Sequence, residues 1–303
     1  MKNKQLMKFV SLALGVVTSV SLLASAAPSP SPSAMPEKAP ARSGITVYSD
    51  TKGKIDASNL GEGYLTIAYT GGKNVRIKLQ ITKTGGTAYT YDLNNAGTVE
   101  TFPITEGDGE YTIRILENTT GTKYAQAFSK KVAVALRDPF VPFLYPNQYV
   151  NWTEDSATAK KAAELCKDKE SGMDKLLAVY EFVIKNFTYD YELAKTVKSG
   201  YLPVVDTVLE KKKGICFDYS AVMSAMLRSQ GVPCKLVIGY AGTQYHAWVN
   251  VYIENEGWIE KAIYFDGKNW SLMDPTYASG SNSNPDVMKN IGAGKDYSAK
   301  YAY

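Results

Sequence analysis

The chain has 303 residues, of which 45% are hydrophobic and 21% charged. Those proportions allow a buried core, so wholesale disorder and collagen-like repeats are excluded, and at this length two domains are expected rather than one. A formal charge of +4 makes no case for nucleic acid, three cysteines are too few for a disulfide scaffold, and the single histidine, His246, excludes zinc sites built on several histidines.

The amino terminus reads as a targeting signal. Lys2, Lys4 and Lys8 precede an apolar run at 9–24, which is short for a membrane span. Ala24-Ser25-Ala26 is a small-x-small cleavage site, so residues 1–26 are expected to leave as a signal peptide, with an uncleaved anchor helix as the alternative. Losing three lysines brings the charge from +4 to +1. No later stretch is long and apolar enough to span a bilayer, so the expectation is a secreted or cell-surface protein without a transmembrane span in its mature chain. Residues 27–43 hold Pro28, Pro30, Pro32, Pro36 and Pro40 and read as an extended tether, either a cell-surface spacer or a segment with no partner.

Residues 44–138 alternate in period two between turns. In 75–82, Val75, Ile77, Leu79 and Ile81 take one face and Arg76, Lys78 and Gln80 the other, a half-buried strand with one wet face. Similar patterns at 63–69, 110–116 and 123–136, with turns such as Thr84-Gly85-Gly86, predict about seven strands in a β-sandwich. In pattern alone the segment resembles fibronectin type III or immunoglobulin-like modules. Glu106-Gly107-Asp108-Gly109-Glu110 has no EF-hand spacing and reads as an acidic hairpin turn.

Residues 139–303 change to a helical period and then back. Leu176, Leu177, Tyr180, Val183 and Ile184 mark an amphipathic helix over 173–186. The run Lys211-Lys212-Lys213 reads as a solvated surface. Gly214-Ile215-Cys216 precedes a helix over about 217–229, ended by Gly231 and Pro233. Cys216 therefore lies at a helix start, where unpaired N–H groups and the macrodipole favour thiolate, while Asp218 in the same turn opposes a second anion. Strands follow at 234–240, at 246–253, where His246, Trp248, Asn250 and Tyr252 share a face, and at 258–265. His246 opens one strand, and Asp274 ends another just before Pro275. A thiol nucleophile, an imidazole that shuttles its proton and a carboxylate that orients the ring are the residue types of cysteine acyl-transfer chemistry. Cys166 and Cys234 read as core thiols or as a disulfide pair.

Gly214-Ile215-Cys216-Phe217-Asp218-Tyr219, Gly231-Val232-Pro233, Ile238-Gly239-Tyr240, His246-Ala247-Trp248 and Asp274-Pro275-Thr276 together resemble the transglutaminase-like superfamily over about 145–277. The resemblance implies an α+β, papain-like domain in which a cysteine-bearing helix packs on an antiparallel sheet. It implies Cys216 as nucleophile, His246 as general base and acid, and Asp274 as orienting carboxylate. It also implies an oxyanion donor, for which the Cys216 N–H is the default and Tyr201 and Tyr189 are side-chain candidates. Trp248 and Tyr219 are candidates for the cleft wall. Trp258–Trp270 reads as an extra hairpin. The absence of a CxxC pair argues against the zinc-bearing peptide N-glycanase relatives, and no metal or cofactor is expected. The expected function is an exported enzyme acting on peptide or glutamine-type amides, cell-wall peptide among them, with hydrolysis favoured slightly over protein cross-linking. The rival is a non-catalytic cell-surface binding module on the same scaffold.

Overall fold

The computed structural model describes residues 42–260, 263–265, 270–272 and 297–303. The expected signal at 1–26, nearly all of the tether and Asp274 lie outside the described residues.

The N-terminal half forms eight strands among the described residues. These are β1 (Val47–Ser49), β2 (Gly53–Asp56), β3 (Tyr64–Tyr69), β4 (Ile77–Lys83), β5 (Ala88–Leu93), β6 (Glu100–Pro103), β7 (Gly109–Thr120) and β8 (Lys123–Val134). They build two antiparallel four-stranded sheets, β1-β2-β3-β6 and β5-β4-β7-β8. The count exceeds the expected seven because β1 and β2 are only three and four residues long, too short to display an alternation. Ile77, Leu79 and Ile81 of β4 and Tyr111, Ile113 and Ile115 of β7 are buried, as period-two patterning requires of a sheet with one face on the core. The sheets meet closely at Gly53, where a Cβ would collide with the side chains of Ile115 and Phe128. Glu117 ties them together. It accepts from the Tyr69 hydroxyl at 2.7 Å and from Lys52 at 3.1 Å, and it also pairs with Lys73.

The C-terminal half contains α1 (Ala157–Cys166), α2 (Gly172–Asn186), β9 (Thr188–Tyr189), α3 (Tyr191–Thr196), α4 (Val205–Lys211), β10 (Lys213–Gly214) and α5 (Cys216–Ser229). After them come β11 (Cys234–Ala241), β12 (Gln244–Ile253), β13 (Gly257–Ile259), β14 (Ile263–Phe265), β15 (Trp270–Leu272) and β16 (Tyr297–Ala302). Ser171 caps α2 by accepting from the Asp174 N–H at 3.1 Å. The main sheet is antiparallel, in the order β13-β12-β11-β16. The single strand expected at 258–265 is in fact split. β13 stays in the main sheet, whereas β14 pairs with β15 as a separate hairpin. The molecule is thus α+β, with a β-rich N-terminal region followed by helices packed on an antiparallel sheet.

Helix α5 is the centre of the second half. Every residue from Asp218 to Arg228 is buried, between β11 and β12 on one side and α1, α2 and α4 on the others. Arg228 is wholly buried and donates to main-chain oxygens of Cys234 at 2.9 and 2.7 Å, of Tyr145 at 2.8 Å and of Tyr303 at 2.6 Å. Burial lowers its pKa to about 10, so it stays charged at neutral pH. It joins α5, β11, the segment around Tyr145 and the residue after β16. A tyrosine cluster completes the joint. The Tyr303 ring lies 5.4 Å from Tyr89, 5.7 Å from Tyr91 and 4.5 Å from Tyr149. Edge-on aromatic contacts of this kind add to the area they bury.

Two measurements test these joints. Arg228→Ala leaves several buried carbonyls without a donor and is expected to cost about 3 kcal/mol or more in urea unfolding. A loss below about 1 kcal/mol contradicts that role. The ion pairs of Glu117, Lys73 foremost, hold its pKa down to about 2. Because this folded-state value is depressed, the stabilisation is complete above the ordinary carboxylate range near 4.5 and is lost as pH falls toward about 2. Glu117→Gln is expected to flatten that part of an acid-unfolding profile.

Candidate active site

Cys216 is the first residue of α5, and Ile215 is the N-cap in an extended conformation. Isoleucine has no side-chain acceptor for the free N–H groups of the first turn. The reciprocal half of a capping arrangement is present instead. Asp218, three residues on, reaches back and accepts from the Ile215 N–H at 2.8 Å. Its other oxygen accepts from the Tyr201 hydroxyl at 2.6 Å. Asp218 is 0% exposed, and burial raises its pKa against the pull of these two hydrogen bonds. Burial and the neighbouring Asp218 together push Tyr201 above the ordinary tyrosine range. A Cβ on Gly214 would sit 2.6 Å from the Asp218 Cβ and 2.8 Å from Oδ2, so the carboxylate folds back only over a glycine. Both oxygens of the acid expected to oppose a thiolate are therefore engaged away from open solvent.

His246 lies on β12 opposite Gly239 of β11 and is 6% exposed. It is the third residue of the strand rather than its first, since β12 begins at Gln244. Gly239 is needed here for close approach. A Cβ at that position would collide with the Ser298 carbonyl oxygen and lie 2.8 Å from the Trp248 ring. Glycine therefore lets β16 and Trp248 close on β11, which sets the neighbourhood of His246.

Cys216 and His246 line one cleft of about 430 Å³, together with Tyr189 and Tyr201. Trp248 and Tyr219 do not line it. Trp248 is 1% exposed and packs on Tyr297 with ring centroids 5.1 Å apart, and Tyr219 is fully buried against Phe187. All three cysteines are free. Cys216 is partly exposed, whereas Cys166 and Cys234 are buried. Burial raises the pKa of both buried thiols, that of Cys234 to about 11. They are core thiols, and the alternative of a disulfide between them is set aside. No group of three or more metal-ligating side chains occurs among the described residues.

Sequence reasoning missed the far wall of the cleft. Lys78 of β4, Thr90 and Asp92 of β5, and Gln148 of the inter-domain connection all line it. Lys78 had been visible only as part of a wet face, and alternation does not say what that face looks onto.

A cysteine at the start of a buried helix and a histidine on the sheet beneath it thus line one cleft. Residues 158–275, which contain both side chains, match the model of the transglutaminase-like superfamily. The chain is 28% identical over 190 residues to the uncharacterized protein YebA of Bacillus subtilis, a match covering 54% of this chain and 25% of that one. It is 27% identical over 105 residues to a protein-glutamine gamma-glutamyltransferase of Pseudomonas aeruginosa, covering 30% of this chain and 14% of that one. The matches thus span a quarter or less of these curated relatives. Among solved structures, a candidate cysteine protease of Cytophaga hutchinsonii aligns over 85% of this chain and 83% of its own, with 16% identity and a TM-score of 0.40.

The turn before α5 gives a direct prediction. Gly214→Ala forces Asp218 to move and is expected to destabilise the protein by about 1–3 kcal/mol. Tyr201→Phe leaves one buried Asp218 oxygen without a donor and is expected to cost a similar amount, about 1–3 kcal/mol. Urea unfolding reads both effects, and two variants as stable as the wild type would remove the constraint.

Proposed function

We propose that this chain is an exported thiol enzyme that acts on peptide or glutamine-type amide bonds through an acyl-enzyme on Cys216. The observation that carries this reading is that Cys216 and His246 share one cleft inside the stretch matching the superfamily. His246 takes the thiol proton as Sγ attacks the amide carbon. The C–N bond breaks, and His246 returns the proton to the departing nitrogen. Water then repeats the sequence in reverse roles. A C–O bond forms, the S–C bond breaks, and the thiol regains its proton. The Cys216 N–H, at the first helical position, has no partner within the helix and is the donor offered to the oxyanion. Asp274 remains the orienting carboxylate by resemblance.

Hydrolysis is the favoured outcome because the partly exposed Cys216 admits water to the acyl-enzyme. Amine transfer is the alternative, supported by the name of the Pseudomonas relative, protein-glutamine gamma-glutamyltransferase. Export rests on the basic and apolar pattern of residues 1–26. Among the described residues no helix is long and apolar enough to cross a membrane.

The test is a peptide-library digest with and without an added primary amine. Cleavage alone indicates hydrolysis, and amine incorporation indicates transfer. Cys216→Ala is expected to abolish turnover, and His246→Ala to lower kcat by about a thousandfold or more. Asp274→Ala is expected to reduce kcat by a smaller factor, on the order of a hundredfold or more. No turnover of any library member favours the binding-module reading, whereas turnover that survives Cys216→Ala removes Cys216 as the nucleophile.

A further inference from the structure

Tyr201 connects the cleft of Cys216 to the acid that anchors the start of α5. It lies in the loop between α3 and α4 and lines the same cleft as Cys216 and His246. The loop leaves its side chain little freedom. The Tyr201 N–H donates to the Lys198 carbonyl at 3.2 Å, and its ring centroid lies 6.5 Å from that of Phe217. Gly200, the residue before it, has φ of +89°, where L side chains are strained, and a Cβ there would lie 3.1 Å from Asp92 Oδ2 of β5. At its far end the hydroxyl donates to Asp218 Oδ1 at 2.6 Å. Asp218 is wholly buried and spends its other oxygen on the Ile215 N–H, one residue before Cys216.

A phenol has one hydrogen to donate. Here it goes to a buried carboxylate, a short charge-assisted bond of the strong kind. Burial and the adjacent Asp218 hold the Tyr201 pKa above its ordinary range, so the hydroxyl keeps that hydrogen at neutral pH. Offering it to an oxyanion instead leaves a buried carboxylate oxygen without a donor, which is costly. The Cys216 N–H carries no such conflict, because the first helical position lies outside the helical ladder. Without Tyr201, Asp218 becomes a different neighbour. Its charge sits two residues from the thiol, in the turn whose N–H groups favour thiolate, and the released oxygen is free to turn toward those groups. The hydrogen bond thus fixes the turn and spreads the charge of the carboxylate, and both effects favour the thiolate.

We propose that Tyr201 is a positioning residue for Cys216, acting through Asp218, and that it is not the side-chain donor to the oxyanion. By holding the Asp218 carboxylate back from the free N–H groups of α5, it leaves them to the thiolate and to the oxyanion. The proposal deepens the reading of Cys216 as nucleophile and rests on it for the reaction served. The hold on the thiol itself is measured without turnover.

The experiment uses the full chain, two probes and the variant Tyr201→Phe. Iodoacetamide alkylates the thiol: the S–C bond forms as C–I breaks and iodide leaves, with no oxyanion. p-Nitrophenyl acetate acylates it: the thiolate adds to the ester carbonyl, an oxyanion forms and p-nitrophenolate leaves. Peptide mass spectrometry assigns both products to Cys216, and urea unfolding corrects each rate to the folded fraction. Tyr201→Phe is expected to slow both reactions by a similar factor, about tenfold. An unchanged iodoacetamide rate overturns the proposal: if the ester alone is slowed, Tyr201 is the oxyanion donor, and if neither is, its bond is merely structural. Asp218→Asn checks the route, since it keeps the shape and an acceptor for the Ile215 N–H but removes the charge. In that background Tyr201→Phe is expected to cost about threefold or less with either probe, and a full tenfold loss contradicts action through Asp218. If Cys216 is alkylated but the wild type is neither acetylated nor active on any peptide, the enzyme reading falls, while the iodoacetamide rates still decide the positioning role.

Discussion

The structure depends on how the start of α5 is held. This helix is buried from Asp218 to Arg228, so its first residue cannot fray into solvent without disturbing the core around it. Its N-cap is an isoleucine, which leaves the exposed N–H groups unsatisfied. The carboxylate of Asp218 satisfies one of them, the Ile215 N–H, by folding back over Gly214, and takes the Tyr201 hydroxyl as well. Cys216 is thereby fixed at a helix terminus and a cleft edge together. The glycine, the acid and the cysteine are spaced as they are because each occupies a place the others leave open.

The same helix couples the two halves of the molecule. Its far end carries Arg228, whose guanidinium gathers main-chain oxygens from β11, from the inter-domain connection and from the end of β16. Tyr303, beside that point, lies against Tyr89 and Tyr91 of the N-terminal sheet. A preorganised site needs support from residues that do no chemistry, and here the support runs from the C-terminal half to the N-terminal sheet. A cleft wall from a separate β-rich region keeps its place relative to Cys216 because the joint is aromatic, buried and charged at one well-satisfied residue.

Much of this was legible in the sequence, for identifiable reasons. The GxC motif before a helix with a glycine stop placed Cys216 within one residue of its observed position, and period-two patterning found β4 and β7. The role of Asp218 was not legible, because its partner Tyr201 lies seventeen residues upstream and returns only through the loop after α3. The strand β16 passed unread. Tyr297, Ala299 and Tyr301 do alternate, but six residues far from any motif give a weak signal. Trp248 and Tyr219 were placed at the cleft because a strand face or helix turn was known without its depth. Trp248 is two residues beyond His246 on the same face, and there Tyr297 of β16 covers it. The wet face of β4 was read correctly as polar, yet nothing local says that Lys78 looks onto the cleft of Cys216 rather than bulk water.

The central claim is that Cys216 carries the acyl group. It is tested most directly by quenching a reacting mixture in acid and mapping the protein by peptide mass spectrometry. The account predicts a mass increase equal to the substrate acyl group on the peptide containing Cys216, absent in His246→Ala under the same conditions. Substrate turnover with no adduct on Cys216, or with the adduct on Cys166 or Cys234, would contradict it.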